Sequence, residues 1–341
     1  MPGRCGAWGL GPRAACRPFY VRSGAIAHSW LANVRETKGV LEEFGLYTKH
    51  RLGQNFLVND DVIGKILALA ELGEDDVVFE VGPGIGTLTV AMLSQAGAVC
   101  SVEADRTLEA VLPHTCARDS ERFALVMGDA LRVGEASLVE AVEALGIAGL
   151  DPRPTKLVSN LPYQVAATII LKTLAEMPTV RRCVVMVQAE VADRIAAVPG
   201  TRAFGAYTAK LALYGEVTGR FEVGPGNFMP PPHVDSAVVR IDRREMVDPE
   251  TGEAVAPVRL ARAVEVIDAA FAQKRKTIRN SMGANGFDKA ALDAAFEACG
   301  IAPTARAEAL EVADFVRLTA ALEGAGAFAD ADGAGAGEAG E

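Results

Sequence analysis

The rhythm of apolar runs constrains this chain most. Between residues 37 and 244 six short β-rich stretches recur: VVFEVG (77–82), AVCSVEA (98–104), FALVMGDA (123–130), KLVSNL (156–161), RCVVMVQ (182–188) and SAVVRID (236–242). Between them lie TLTVAMLSQAG, TLEAVLPHTCA, EASLVEAVEALG and ATIILKTLAEM, all of helix length. A strand that is apolar throughout, rather than at alternate positions, has both faces covered. Such strands separated by helices imply a parallel sheet layered by helices, a doubly wound α/β domain. Sheets of this kind hold ligands at the carboxyl ends of their strands, so the residues closing each run are the ones to inspect.

The rhythm stops at RREMVDPETGEAVAP, and from 258 to 322 the chain reads as helical, including VRLARAVEVIDAAFAQKRKTIRNSM. The division expected is a disordered extension over 1–36, an α/β domain over 37–244, a small α-helical domain over 245–322 and a disordered acidic tail over 323–341. The first 35 residues carry five Arg and no acid, as organellar transit peptides do, but show no amphipathic apolar face and no signal-peptide core. A cytoplasmic setting is therefore expected. No run of 18 apolar residues exists, so no membrane span is indicated. The six Cys are scattered without a CxxC pair and the four His lie far apart, which argues against a metal site or a disulfide framework. The net charge of −10 argues against a uniformly basic nucleic-acid binder, yet QKRKTIRNSM (273–282) gathers Lys274, Arg275, Lys276 and Arg279 without an acid.

The first run ends in Gly82, Gly84 and Gly86. Glycines there allow a sharp turn and a close approach of ligand to backbone. The dinucleotide fingerprint would need its third glycine at position 87, which is Thr87. The observed G-x-G-x-G, with Glu80 two residues upstream, resembles the S-adenosylmethionine loop of class I methyltransferases; a plain tight turn is the alternative. Glu103 closes the second run, where a carboxylate accepts from a ribose diol in either nicotinamide or S-adenosylmethionine sites. Asp129, with Ala130 beside it in GDAL, closes the third, where it can accept from an adenine amino group. Each acid alone could cap a helix. Together at one sheet edge they point to a nucleoside ligand.

The fourth run ends at the same edge in SNLPY (159–163). It resembles the (N/D/S)-P-P-(Y/F) signature of methyltransferases that act on exocyclic or amide nitrogens. An aryl amine is a poor nucleophile because its lone pair is delocalised into the ring. The Asn160 side-chain oxygen and the Leu161 carbonyl can accept both amino hydrogens and turn the lone pair toward the donor methyl. Pro162 stiffens the loop and brings no competing N–H. Tyr163 is expected to be exposed, offering a stacking face to a base. Phe228, in NFMPPPHVDS, is either the second stacking face or a packing residue.

In order, HRLGQNFL (50–57), FEVGPGIGTLT, VEAD, GDAL, SNLPY, MVQAEVADRI (186–195), FMPPPHVDSAVV (228–239) and FAQKRKTIRNSM (271–282) resemble the ribosomal RNA adenine N6-dimethyltransferases of the KsgA type, over about 46–320. That family modifies two adjacent adenosines near the 3′ end of small-subunit (16S) rRNA. The resemblance implies a Rossmann-like class I methyltransferase fold with a mostly parallel seven-stranded sheet and a small C-terminal α-helical domain. It implies S-adenosylmethionine as donor, no metal, and the small ribosomal subunit as partner of a monomeric enzyme acting in ribosome biogenesis. Asn55 and Leu57 would close over the donor. Gly82 and Gly84 would meet its methionine part, Glu103 its ribose, Asp129 and Ala130 its adenine, and Asn160 both donor and target amine. Arg194, Lys274, Arg275, Lys276 and Arg279 would face RNA phosphates, which set register rather than sequence; a solvated helix face is the alternative for the last four. Departures lie at Ala189, where the family usually has Lys, and in AFGAYTAKL, with Phe204 and Thr208 in place of the usual Tyr-Gly and Ser. The target adenine would have to be unpaired or flipped.

Three other readings remain open. A resistance-type methyltransferase of large-subunit rRNA shares the fold and the SNLPY-like motif; FMPPPHVDSAVV and QKRKTIRNSM favour the small-subunit type. A non-catalytic RNA-binding factor on the same fold is disfavoured by intact Asn160, Glu103 and glycine loop. A nicotinamide-dependent oxidoreductase is disfavoured by the loop spacing and SNLPY.

Overall fold

The computed structural model describes residues 21–22, 25–46 and 55–328. In chain order its elements are β1 (Val21–Arg22), β2 (Ala25–Ile26), α1 (Val34–Glu43), β3 (Phe56–Leu57), α2 (Asp60–Ala70), β4 (Val77–Val81), α3 (Thr87–Leu93), β5 (Ala98–Glu103), α4 (Val111–Thr115), β6 (Phe123–Met127), α5 (Glu135–Glu143), β7 (Lys156–Asn160), α6 (Ala166–Glu176), β8 (Arg182–Gln188), α7 (Ala189–Ile195), α8 (Ala206–Leu211), β9 (Gly215–Val223), β10 (Phe228–Met229), β11 (Ser236–Arg243), α9 (Pro257–Phe271), α10 (Ile278–Ala284), α11 (Lys289–Cys299) and α12 (Val312–Gly324).

Seven strands form the central sheet in the order β6-β5-β4-β7-β8-β11-β9. The first five run parallel, and β11 lies antiparallel to both its neighbours. Six of the seven match the apolar runs. β9, one of the two edge strands, escapes that pattern because its interior residues alternate between exposed and half-buried, so GEVTGRFEV never reads as an apolar run. Successive residues of the inner strands enter opposite cores. Val78, Val99, Val158 and Val184 pack on the side of α2 and α3. Phe79, Cys100, Leu157 and Val185 pack on the side of α5 and α6. That two-sided burial is what uninterrupted apolar runs require.

Strand order reverses between β4 and β7, which makes their carboxyl ends the switch point of the sheet. Backbone register between these two strands covers only Val78↔Lys156 and Phe79↔Leu157. Beyond it the Ser159 hydroxyl takes over, donating to the Val81 carbonyl at 2.5 Å and facing the Val81 N–H at 3.4 Å. The ladder thus stops short, and Gly82 and Asn160 flank a crevice.

Three boundaries differ from expectation. Folded chain begins before residue 37: Leu31 is fully buried, and Asn33 caps α1 by accepting the Glu36 N–H at 3.0 Å. Residues 1–20 and 23–24 of the extension, the tail after 328 and HRLGQ of the first motif lie outside the described residues. The helical region has its own core, but that core reaches back before 245, since Ala209 and Leu213 join Ile267, Phe296 and Phe315 in one cluster. Phe204 also meets Phe271, their ring centroids 6.1 Å apart. Finally, the stretch from 258 to 282 is not one helix. Ser281 Oγ accepts the Gln273 N–H at 3.0 Å and donates to the Ala269 carbonyl at 2.8 Å. These bonds fold Ala272–Thr277 into a loop that carries the Lys274–Lys276 run, and Thr277 caps α10.

Candidate active site

β4 delivers the glycine loop to the crevice. Gly82 has φ +67°, and a Cβ there would come within 3.3 Å of the Pro162 ring. Gly84 has φ +60°, and its missing Cβ is replaced by the Phe56 ring at 3.2 Å. Both positions therefore require glycine for backbone conformation and for close packing. They also show that Phe56, the glycine loop and SNLPY meet at one place. Phe56, which the motif reading did not single out, is the side chain that makes this contact.

Two carboxylates sit beneath the loop. Glu80 Oε2 accepts from the hydroxyls of Thr89 and Ser101, each at 2.7 Å. Burial pushes its pKa up to about 7 against those two hydroxyls, with nearby Glu103 adding to the rise. Glu103 closes β5 and is 7 % exposed. Its Oε1 accepts the Asp105 N–H at 2.8 Å. Burial raises its pKa also, offset in part by the N–H groups of Asp105, Gly84 and Ala104. Asp129 follows β6 with its side chain 56 % exposed, and Oδ1 accepts the Leu131 N–H at 2.9 Å. Ala130, beside it, packs on the core below.

SNLPY closes β7. Asn160 Nδ2 donates to the Asn55 carbonyl at 3.4 Å, which orients the amide so that Oδ1 remains an acceptor. Leu161 is 1 % exposed, so only its backbone can serve a ligand. Tyr163 is not exposed as expected: it is half-buried, and its hydroxyl bonds the buried Ser236 Oγ at 2.8 Å. Burial raises the phenol pKa. The strand β11 thus fixes the ring from behind.

β10 pairs antiparallel with β3, placing Phe228 opposite Leu57. Leu57 is 4 % and Phe228 3 % exposed. Of the two roles expected for Phe228, packing is the one observed; it seats the Pro-rich loop against Phe56–Leu57 rather than offering a stacking face.

The basic residues separate into two kinds. Lys274, Arg275 and Lys276 are exposed on the loop before α10. Arg279 instead pairs twofold with Asp293, Nε to Oδ1 at 2.5 Å and NH2 to Oδ2 at 2.6 Å. Its guanidinium is committed to that carboxylate. Arg194, in the last turn of α7, lies 3.2 Å from Glu190 on a half-exposed face. Thr208, one of the departures, is buried and donates to the Arg194 carbonyl at 2.7 Å.

A nucleoside ligand fits this donor set. Side-chain-free backbone at Gly82 and Gly84, two acids at successive strand ends and an oriented amide all lie at the carboxyl edge of the parallel strands. Among the described residues no group of His, Cys, Asp and Glu is arranged to hold a metal ion. The sheet order, the crevice and the helical C-terminal region define a class I methyltransferase.

Comparison with known proteins narrows the class. The family model for ribosomal RNA adenine dimethylase matches residues 45–323. The Streptomyces coelicolor ribosomal RNA small subunit methyltransferase A is 40% identical over 291 residues, spanning 84% of this chain and 94% of the relative. A dimethyladenosine transferase from Plasmodium falciparum has a similar fold, with a TM-score of 0.64 and 23% identity over 80% of this chain and 98% of that one. The 23S rRNA methyltransferase ErmE shares the fold with a TM-score of 0.57 and 24% identity, over 79% of this chain and 100% of that one. The chain belongs to the ribosomal RNA adenine dimethylase family and is an enzyme of that class.

Proposed function

We propose that this enzyme dimethylates the N6 amino groups of two adjacent adenosines near the 3′ end of 16S rRNA, with S-adenosylmethionine as donor, during small-subunit biogenesis. The observation that carries the reading is the meeting of SNLPY with the glycine loop at the switch point, where Pro162 packs on Gly82. The small-subunit assignment over a large-subunit one is supported by the name of the 40%-identical Streptomyces relative. The donor, when bound, supplies an electrophilic methyl group.

Everything else is done by the chain. Glu103 would accept the ribose hydroxyls, and Asp129, with Ala130 beneath, the adenine amino group. Leu57 and the Asn55 backbone would close the crevice from above. The Asn160 Oδ1 and the Leu161 carbonyl would accept the two hydrogens of the target amine, localising its lone pair on nitrogen. Pro162 adds no competing donor. The Tyr163 ring, anchored through Ser236, would stack on the target base, an interaction worth roughly 1–3 kcal/mol. No strong base is needed, because the alkylated amine sheds its proton readily; alignment and fixed dipoles supply the acceleration. Lys274, Arg275 and Lys276, with Arg194, would hold RNA phosphates. The enzyme would act as a cytoplasmic monomer on small subunits. No described helix is long and apolar enough to cross a membrane.

The test is methyl transfer from labelled donor to small subunits from cells lacking this activity, beside large subunits and free rRNA, with nucleoside analysis. Dimethyladenosine confined to the small subunit is expected. Label in large-subunit RNA would replace the reading with the resistance type. No transfer and no donor binding would leave a non-catalytic RNA-binding factor.

A further inference from the structure

We propose that Lys172 is a positioning residue for the adenine end of the donor site, acting through the loop that carries Asp129. The inference rests on the role assigned to Asp129 above. After β6 the chain folds back on itself before α5. The Asp129 carbonyl accepts the N–H groups of Arg132 at 2.8 Å and Val133 at 3.0 Å. Its carboxylate accepts the Leu131 N–H at 2.9 Å. The N–H groups of this loop therefore converge on Asp129, and two of its carbonyls are left needing donors.

Lys172 supplies them. It reaches from α6, the helix that follows SNLPY, and its Nζ donates to the carbonyls of Leu131 at 2.7 Å and Val133 at 3.1 Å. Its side chain is 19 % exposed, and Glu176 stands 3.9 Å away with 58 % exposure. A lysine that merely solubilised a helix would extend into water, whereas this ammonium spends its donors on backbone in a partly desolvated place. Charge-assisted bonds of this kind are stronger than neutral ones. The Leu131 and Val133 side chains pack on the core beneath, so the loop is held from below by apolar contact and from the side by one cation. That side support sets where the Asp129 carboxylate points. It also ties the adenine end of the crevice to the helix that begins three residues after Tyr163, so the two halves of the site share one rigid element.

The test measures calorimetric affinity for S-adenosylhomocysteine in the full-length protein. Lys172→Met keeps the aliphatic stem and removes the donors; it should weaken binding roughly tenfold, with kcat at saturating donor within about twofold of the parent. Lys172→Arg should restore most of the loss. Lys172→Gln, which keeps one short donor and serves if the Met variant folds poorly, should fall between, at about threefold. In the unliganded protein the amides of Leu131, Arg132 and Val133 should exchange faster in Lys172→Met while the β-strand amides do not. The decisive comparison is the double variant with Asp129→Ala. If Lys172 acts through Asp129, the double variant binds within about twofold of Asp129→Ala alone. Multiplicative losses, or unaltered affinity in both Lys172→Met and Lys172→Gln, would overturn the proposal and leave the Asp129 assignment standing. Unaltered affinity in Asp129→Ala itself would remove that assignment and the proposal with it.

Discussion

The two ends of the central sheet are built on opposite principles. At the amino ends of β4, β7 and β8 the charges satisfy one another. Buried Asp76 pairs with Lys156 at 2.8 Å and with Arg181, and accepts the Thr155 hydroxyl at 2.7 Å and the Gly73 N–H at 2.9 Å. At the carboxyl ends, Glu80 and Glu103 are buried near one another, and among the described residues their hydrogen-bond partners are hydroxyl and N–H donors. On the proposed function, the contrast separates groups that hold the fold from groups that line the donor site. It also gives the two ends opposite pH signatures. For Asp76, burial pushes the pKa up, but the bonds from Lys156, Thr155 and Gly73 outweigh it and hold the group below its usual value. Its contribution is present above the ordinary carboxylate range and is lost as pH falls through the folded value. Glu80 is raised to about 7. Its contribution is present below about 4.5 and is lost as pH rises toward 7.

The largest effect is expected at the paired end. Asp76→Ala strands Lys156, whose side chain is 4 % exposed, without its anion. Breaking a buried pair from one side costs about 3–5 kcal/mol. Urea unfolding should show that loss, while kcat per folded molecule stays near the parent value. A large loss of kcat with stability intact would break the contrast. Next comes Glu80→Gln, a near-isostere of the protonated acid. A displacement from 4.5 to about 7 corresponds to on the order of 3 kcal/mol lost between those pH values. The parent's stability should slope downward across that window, and the variant's slope should be shallower by the Glu80 contribution, leaving only that of groups such as Glu103. Equal slopes would mean that Glu80 is ionised throughout.

The open end answers in rate rather than stability. Asn160→Ala removes one oriented acceptor from a half-buried position and should cost at least about 100-fold in kcat. Unfolding free energy should move by less than about 1 kcal/mol, and RNA binding should persist. Near-parental turnover would remove Asn160 from the chemistry.

The open end of this contrast is legible in the residues; the paired end is not, because Asp76 meets Lys156 and Arg181 only in the fold. Six strands could be read because two-sided burial makes them apolar throughout, and the ligand edge followed from parallel connectivity. What stayed hidden depends on partners distant in sequence. Phe56 gains its role only because Gly84 leaves room for its ring. Tyr163 looked exposed because nothing local announces Ser236, which lies 73 residues away. Phe228 suits stacking and packing equally by its residue type, and only its pairing with Leu57 distinguishes them. Ser159 reads as part of a motif, yet it stands in for the missing ladder between β4 and β7. The four cations near 274–279 looked alike in sequence; Asp293, 14 residues beyond Arg279, distinguishes them.

That last distinction carries the smallest expected effect and extends the contrast between paired and open charge to the surface. Lys276 is exposed and makes no ion pair among the described residues. A phosphate contact releases about one counterion, so Lys276→Ala should lower the salt dependence of small-subunit binding by about one in log–log slope. Arg279 already has its anion. A solvent-exposed pair of this sort adds little to stability, so Arg279→Ala should shift stability only slightly and leave the salt slope unchanged. Asp293→Ala sharpens the comparison, because it returns the guanidinium to solvent and should make Arg279 behave like Lys276, steepening the slope. If Arg279→Ala instead flattened the slope as much as Lys276→Ala does, the Asp293 pair would be one that RNA displaces, and the division between committed and available cations would fail at this loop.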